Sequence, residues 1–254
     1  MINFLRRIRR ELINENKTSI YLVYAVGEVV LVVFGILIAL QIDNWNEGRK
    51  QEVIEIQFLK SIKQDLKSDT IYLNRRTKQS KELINNHYQY IHNAYEEQKD
   101  MKEFKELISL LWWNSDHFTP QNSTFIEILN SGQLSIFKNR QLKEDIISLY
   151  NDYDIASNHI KEFNEYTAAQ LREIDLAFIR YWKAFSHIFD ETYIYNDAEW
   201  RYINDPNTQE FKLLEKLAAI YSLKHKDFLN SFMELKSKVE LIISDIEREL
   251  EKRD

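Results

Sequence analysis

One nearly uncharged stretch, Tyr24 to Ile42, constrains the fold more than any other part of the chain. It reads YAVGEVVLVVFGILIALQI, and Glu28 is its one charged residue. As a helix with a rise of 1.5 Å per residue it spans roughly 28 Å, close to the hydrocarbon thickness of about 30 Å. The run is too long for the apolar region of a signal peptide, and no small-x-small cleavage site precedes Asp43. The stretch therefore predicts an uncleaved transmembrane helix.

Charges on either side of this stretch predict its orientation. Residues 1–17 are mainly basic, whereas the segment after the span carries both signs. The charged residues before the span are Arg6, Arg7, Arg9, Arg10 and Lys17, against Glu11 and Glu15. By the positive-inside rule the N-terminus faces the cytoplasm. We predict a cytoplasmic basic amphipathic segment over residues 1–19, a transmembrane helix over 20–43 and a domain outside the cytoplasm over 44–254. The first segment either lies on the anionic membrane surface or serves only as the topology signal.

Scarcity of turn residues favours an all-helical domain. The chain of 254 residues has only 4 Gly and 2 Pro, too few for the many turns of a sandwich or barrel. We predict an all-α fold in which the transmembrane helix continues into an antiparallel bundle of about four long helices. The net charge of −6 argues against nucleic acid as a partner, because non-specific affinity for phosphates needs excess Lys and Arg. With no Cys, the chain has neither disulfides nor thiolate chemistry.

Apolar spacing divides the domain into helices. The predicted helices are a first one from the span to about residue 95, a second over 104–119, a short one over 124–137 broken at Ser131 and Gly132, a long one over 139–185 capped by Asn139, and a last one over 205–250 opened by Asp205 and Pro206. In the first helix the buried line runs through Leu83 or Ile84 and then His87 or Tyr88, toward Ile91 and Tyr95. Residues 186–204 lose the helical period and predict an irregular connection.

Catalytic and metal-binding spacings are missing. None of the six His has a Glu three residues before it, as di-metal helical bundles require. His-Glu-x-x-His, a Gly-rich phosphate loop and Gly-x-Ser-x-Gly are missing too. We therefore predict no catalytic residues, no metal, no cofactor and no enzymatic activity. His225 lies on the apolar seam of the last helix, where packing is the commoner role of a lone His.

Aromatic residues concentrate in two places. The dipeptide Trp112-Trp113 follows the second helix, and the connection before the last helix carries Tyr193, Tyr195, Trp200 and Tyr202. Aromatic side chains line many small-ligand pockets, but packing in the core is the interpretation that we favour.

Glu28, Gly35 and Ala39 form the candidate contact site in the membrane. Their spacing places an acid and two small residues on one helix face. A carboxylate in hydrocarbon is costly unless it is protonated, solvated or paired, and small residues let another helix approach closely. We predict that this face contacts a second copy of the chain or a partner membrane protein. The alternatives are a tolerated polar residue and, less favoured, a proton relay.

Two segments resemble a known family. They are GEVVLVVFGILIALQIDNWNE, from Gly27 to Glu47, and TFIEILNSGQLSIFKNRQLKEDIISLY, from Thr124 to Tyr150. After a basic N-terminus, they resemble a family of single-span membrane proteins that is common in Bacteroidota and of unknown function. The resemblance implies the inner membrane of a Gram-negative bacterium, with the helical domain in the periplasm. It implies no catalytic residues.

Three functions fit these features. The first is a membrane-anchored, non-enzymatic interaction or scaffolding protein, which the continuous helical stripes favour. The second is a sensory bundle that binds a small ligand through its aromatic region. The third is an accessory subunit of an ion-driven envelope machine that uses Glu28, an analogy of layout only.

Overall fold

The computed structural model of the chain describes residues 18–96, 98–111, 115–177 and 200–253. These residues form five α-helices and two 3-10 helices, and no strand occurs among them. The α-helices are α1 (Thr18–Ala94), α2 (Met101–Ser109), α3 (Ser123–Asn130), α4 (Arg140–Ala177) and α5 (Gln209–Glu251). The 3-10 helices are Gln133–Ile136 and Arg201–Asn204. The all-helical class predicted from the sequence is confirmed, but the described residues contain three long helices rather than about four.

The chain divides into two compact units, Met1–Gln57 and Phe58–Asp254. In the first unit, residues 18–57 lie in α1, and the basic segment over residues 1–17 lies outside the described residues. Large apolar side chains between Leu22 and Ile42 range from 45% exposed, at Val30, to 73% exposed, at Leu31. Within the part of the chain that the structure describes, α1 alone holds a window long and apolar enough to cross a membrane, judged by length and composition. The predicted continuation of this apolar helix past residue 43 is confirmed.

In the second unit, α5 runs antiparallel to α4 and to the part of α1 after Phe58. Contacts join early residues of one helix to late residues of the other. Lys67 of α1 contacts Glu247 of α5 at 3.4 Å, and Tyr95, the residue after α1, contacts Glu215 of α5 at 2.7 Å. Between α4 and α5, Asp152 contacts Lys238 at 3.0 Å and Gln170 contacts Lys216 at 3.0 Å. It follows that α1 and α4 run parallel to each other within the bundle.

The seam of α5 is the centre of the core. All twelve seam positions predicted from the spacing are buried: Phe211, Leu214, Ala218, Tyr221, His225, Phe228, Phe232, Leu235, Val239, Ile242, Ile246 and Leu250. In α1 the structure selects Leu83 and His87 from the two possible lines and buries Tyr90 next. Tyr88 is 68% exposed and Tyr95 is 55% exposed, so the predicted burial of Tyr95 is wrong. The line through His87 therefore places an imidazole in the core.

Helix ends agree with the sequence at two places. Asn139 Oδ1 accepts the Leu142 N–H at 3.1 Å, which confirms Asn139 as the N-terminal cap of α4. Gly132 has φ of +70° directly after α3, the left-handed conformation that glycine adopts without strain. The predicted break at this glycine is therefore confirmed. The end predicted for the long helix, near residue 185, lies outside the described residues.

Two predicted helix ends are wrong. The last helix begins at Gln209 and is capped by Thr208, whose Oγ1 accepts the Phe211 N–H at 3.2 Å. Asp205 instead accepts the Asn207 N–H at 2.9 Å, so its side chain forms a turn before the helix. The second helix ends at Ser109, well before the predicted end near Pro120. Side chains of the long helices bind the chain before Pro120, as shown below, and these contacts override its helical spacing.

Candidate functional site

Side chains of α1 and α4 bind the backbone of a segment without regular secondary structure between α2 and α3, residues 115–122, which we call the strap. From α1, the Tyr72 hydroxyl donates to the His117 carbonyl. From α4, the Ser157 hydroxyl donates to the Phe118 carbonyl at 3.3 Å, and the Tyr150 hydroxyl donates to the Gln121 carbonyl at 3.4 Å. A segment without regular structure needs such partners for its buried backbone groups. The strap therefore packs into the bundle and does not lie only on its surface.

Asp116 is the charged strap residue that is buried in the core, where it is 2% exposed. Its backbone is bound by Asn164 of α4, which accepts the Asp116 N–H at 3.3 Å and donates to the Asp116 carbonyl. Its carboxylate forms an ion pair with Arg76 of α1. On α5, Lys224 Nζ lies 3.9 Å and His225 Nδ1 lies 3.5 Å from Asp116 Oδ2. The Asp116 carboxylate thus meets basic groups from α1 and α5, while its backbone is bound by an amide from α4.

His87 of α1 completes the group, because its ring stacks on that of His225 with centroids 5.7 Å apart. We refer to Asp116, Arg76, Lys224, His225 and His87 as the Asp116 cluster. The side chains of His87, His225 and Lys224 are each at most 1% exposed. Lys224 Nζ also lies over the rings of Tyr221 and Phe228, at 5.0 and 5.6 Å from their centroids. The cluster therefore places charged and polar side chains among the apolar residues that line the seam of α5.

Burial dominates the electrostatics of the cluster. It lowers the pKa of Lys224 to about 8, with a further lowering from Arg76. It lowers the pKa of His225 to about 3, with smaller contributions in the same direction from Lys224, His87 and Arg76. The negative charge of Asp116 favours the protonated form of His225, but the same carboxylate already faces the cations Arg76 and Lys224. His225 is therefore neutral near pH 7, whereas Lys224 is mostly protonated.

The contacts of His225 are electrostatic and aromatic rather than hydrogen-bonded. Neither of its ring nitrogens has a hydrogen-bond partner, and neither does Asp116 Oδ2. Buried polar atoms of this kind cost about 1 to 3 kcal/mol each. The core tolerates this cost at the point where the strap meets α5.

A second carboxylate anchors the other end of the strap. Asp69 of α1 is 2% exposed and accepts the Gln121 N–H at 2.9 Å and the Tyr153 hydroxyl at 3.0 Å. Burial raises the pKa of Asp69, and burial together with Asp69 raises the pKa of the Tyr153 hydroxyl. Asp69 and Asp116 thus fix the two ends of the strap, and Phe118 packs against Tyr153 between them, with ring centroids 5.2 Å apart.

The described residues offer no group of three His, Cys, Asp or Glu side chains placed to hold a metal ion. In the Asp116 cluster, Arg76 and Lys224 would also repel a cation.

The described part of the aromatic region packs into the core. Trp200 and Tyr202 are 8% and 9% exposed, and their ring centroids lie 5.9 and 6.1 Å from that of Phe104 in α2. Asn204 binds the connection between α1 and α2 by accepting the Lys99 N–H at 2.8 Å and donating to the Lys99 carbonyl at 3.0 Å. The four other members of the proposed pocket, Trp112, Trp113, Tyr193 and Tyr195, lie outside the described residues.

The predicted membrane contact residues all lie in α1. Glu28 and Gly35 are seven residues apart, and Ala39 follows four residues later, so a regular helix places the three within an arc of about 40°. Gly35 and Ala39 are exposed, and a Cβ added at Gly35 would meet nothing within 4 Å. This face therefore has room for another helix, and its contact with one stays a prediction.

Sequence reasoning missed most of the Asp116 cluster. His225 was placed in the seam but without a role, and His87 was one of two alternatives. Lys224 carried a readable signal, because it lies three residues after Tyr221 on the buried side of α5. Asp116 carried none, because it lies in a segment whose spacing predicted helix.

Comparison with known proteins gives a family and no function. Residues 28–203 match the model of a family of unknown function, DUF6090, which covers more than half of the chain. The protein belongs to this family. The matched residues include Arg76, His87 and Asp116, whereas Lys224 and His225 lie beyond them. No curated protein and no solved structure matches the chain.

Proposed function

We propose that this protein is a non-enzymatic, single-span membrane protein whose helical domain is an interaction or scaffolding module. The observation that carries the proposal is the exposure of the apolar stretch of α1, where side chains such as Leu31 and Ile42 are 73% and 62% exposed. A continuous apolar surface of this length is unfavourable in water and is satisfied by lipid. The other described helices bury their apolar side chains in a common core. The sequence shows none of the catalytic or metal-binding spacings described above.

The proposed location is the inner membrane of a Gram-negative bacterium, with the N-terminus in the cytoplasm and the domain over residues 44–254 in the periplasm. The basic residues before the span support this orientation, and the resemblance to a Bacteroidota family supports the type of organism. Among the described residues, the lack of a second spanning window supports a single pass.

Fusion of a reporter after Asp254 tests the topology. A reporter that is active only in the periplasm should be active there, and a strictly cytoplasmic reporter should be inactive. A matched fusion at Met1 should give the opposite pair of results. Activity of the cytoplasmic reporter after Asp254 would contradict the proposed orientation.

Affinity purification from native membranes tests the scaffold. The tagged full chain should retain a membrane partner in stoichiometric amounts after mild detergent extraction. A control chain with the span residues 24–42 replaced by an unrelated spanning sequence separates binding through the domain from binding through the span. Recovery of the full chain alone, in the same amounts as from the control, would contradict the scaffold proposal.

A small-ligand sensory bundle is the second candidate. The observation that favours it is the Asp116 cluster, because a charged group joining three helices can respond to a change in its surroundings. The packing of Trp200 and Tyr202 against Phe104 does not favour a ligand pocket at that place. An accessory role in an ion-driven machine depends on ionisation of Glu28, which the last prediction below addresses.

A further inference from the structure

The strap is a part of the described bundle that has no regular secondary structure. Its backbone is bound by side chains of α1 and α4 rather than by a helical ladder, and each of these bonds can be replaced by a bond to water. Phe118, at 4% exposure, is the large apolar side chain that it buries. Opening the strap therefore breaks these polar contacts and the ion pair of Asp116 with Arg76, and it removes Phe118 from its ring contacts with Tyr153 and Phe232. The hydrogen bonds within the long helices do not depend on these contacts.

Opening the strap removes Asp116 from the core and admits water to His225. The charged and titratable groups that face His225 come from three elements: Asp116 from the strap, Arg76 and His87 from α1, and Lys224 and Tyr221 from α5 itself. From α4, Asn164 binds the Asp116 backbone and Phe163 packs on Phe228, and neither of these side chains titrates. His225 therefore meets more positive charge than negative charge from the described groups around it.

Protonation of His225 is unfavourable while the strap is closed. An imidazolium would be the third cation beside a single carboxylate, at a position that the surrounding side chains bury completely. The competing possibility is that the imidazolium pairs with Asp116 and tightens the contact. The closer partner of Asp116 is Arg76, which already forms its ion pair, so a proton on His225 adds repulsion from Arg76 and Lys224.

We propose that the Asp116 cluster is an acid-sensitive latch, which releases the strap when the pH around the domain falls while the long helices stay folded. In the open state one proton passes from solvent to an imidazole nitrogen of His225, and no covalent bond changes. The open state thus binds protons that the closed state rejects, so acid shifts the equilibrium toward opening. If the domain is periplasmic, as we propose, it would meet the pH changes of the surroundings.

Hydrogen exchange of the full chain in detergent micelles at pH 7.5 and pH 5.0 tests the latch. After correction for intrinsic exchange rates, the opening equilibrium of the hydrogen-bonded strap amides of Asp116 and Gln121 should rise by about thirtyfold at pH 5.0. This is the factor expected for an imidazole with a pKa of 6.5 when open and about 3 when closed. Amides in the second half of α5, such as Val239, should change by less than about threefold. Equal or greater protection of the strap at pH 5.0 would overturn the proposal, as would a parallel rise along α5.

Two variants separate the latch from general acid sensitivity. His225→Asn keeps a polar side chain that does not titrate, and it should reduce the rise in the strap to a few-fold. His159→Asn is the matched control, because His159 pairs with Asp227 on the surface of the bundle and lies outside the cluster. It should keep the full rise. An undiminished rise in the His225→Asn protein would overturn the proposal. If that variant does not fold at pH 7.5, His225→Gln and the wild-type comparison of strap and α5 decide the question.

Discussion

At the scale of single residues, the core holds a carboxylate on which two buried cations depend. Replacing Asp116 by Asn keeps the size of the side chain but removes the carboxylate that pairs with Arg76 and lies 3.9 Å from Lys224 Nζ. Removing one partner of a buried ion pair costs about 3 to 5 kcal/mol, and we expect Asp116→Asn to lower the free energy of unfolding by that amount. Urea titration of the full chain in micelles, followed by circular dichroism, measures the difference.

The control for Asp116→Asn is Asp152→Asn, which removes a carboxylate from a partly exposed pair with Lys238 at 3.0 Å. Exposed and partly exposed pairs contribute about 0 to 1 kcal/mol, so this variant should stay close to the wild type. Equal losses in the two variants would show that Asp116 has no special role in the core.

Lys224 gives a second prediction at this scale, which concerns pH. Its pKa of about 8 in the folded state lies below the ordinary value of 10.5, so the unfolded state binds more protons between these values. The contribution of Lys224 to the free energy of unfolding should therefore rise as the pH rises from 8 toward 10.5, by about 3 kcal/mol in total. Lys224→Met should remove this rise. The difference between the two proteins at pH 7.5, 8.5 and 9.5 isolates Lys224 from the tyrosines, and a constant difference would contradict the prediction.

At the scale of helices, the spacing of apolar residues predicts which side chains are buried. Twelve buried positions of α5 were predictable because three-and-four spacing and packing against two helices demand the same residues, whereas Lys224 lies outside that spacing. The line in α1 after Leu83 was ambiguous, since His87 and Tyr88 both suit a helix and only the position of α5 separates them. The strap was not predictable, because its conformation depends on Tyr72, Asp69 and Asn164, which are distant in sequence.

The start of α5 provides a prediction at the same scale. Thr208 caps the helix, whereas Asp205 binds the backbone of the turn before it. Loss of an N-terminal cap costs about 0.5 to 2 kcal/mol, so Thr208→Ala should lower the thermal midpoint measurably. Asp205→Ala should have the smaller effect, because the turn and the helix keep their other bonds. The reverse order would restore Asp205 as the cap, as the sequence predicted.

At the scale of the whole molecule, the sequence predicted the apolar stretch and the helical bundle, but it did not predict which molecule they bind. Composition and periodicity report burial and exposure, which are properties of one chain. The Asp116 cluster needed the three-dimensional structure, because its members come from three separate elements. A contact in the membrane needs a second chain, so its prediction depends on the chemistry of one face of α1.

That face leads to the last prediction, which is that Glu28, Gly35 and Ala39 contact another membrane helix. A carboxylate facing lipid would have to be protonated or draw water inward, whereas close approach at Gly35 and Ala39 lets a neighbouring helix supply a donor. Because the chain has no Cys, single cysteines placed along the span report the contact without background. Cross-links should peak at Ala39→Cys and fall at Leu37→Cys, which lies on the opposite side of the helix.

Substitution of Glu28 then separates a hydrogen bond from ionisation. Interhelical polar contacts in membranes contribute about 0.6 to 2 kcal/mol, so Glu28→Leu should weaken the cross-linked species, while Glu28→Gln, which can still hydrogen-bond, should be mild. If the acid must ionise, as an ion-driven accessory would require, Gln is as damaging as Leu. An even distribution of cross-links around the helix would instead show that Glu28 is a tolerated polar residue, because a lipid-facing helix has no preferred neighbour.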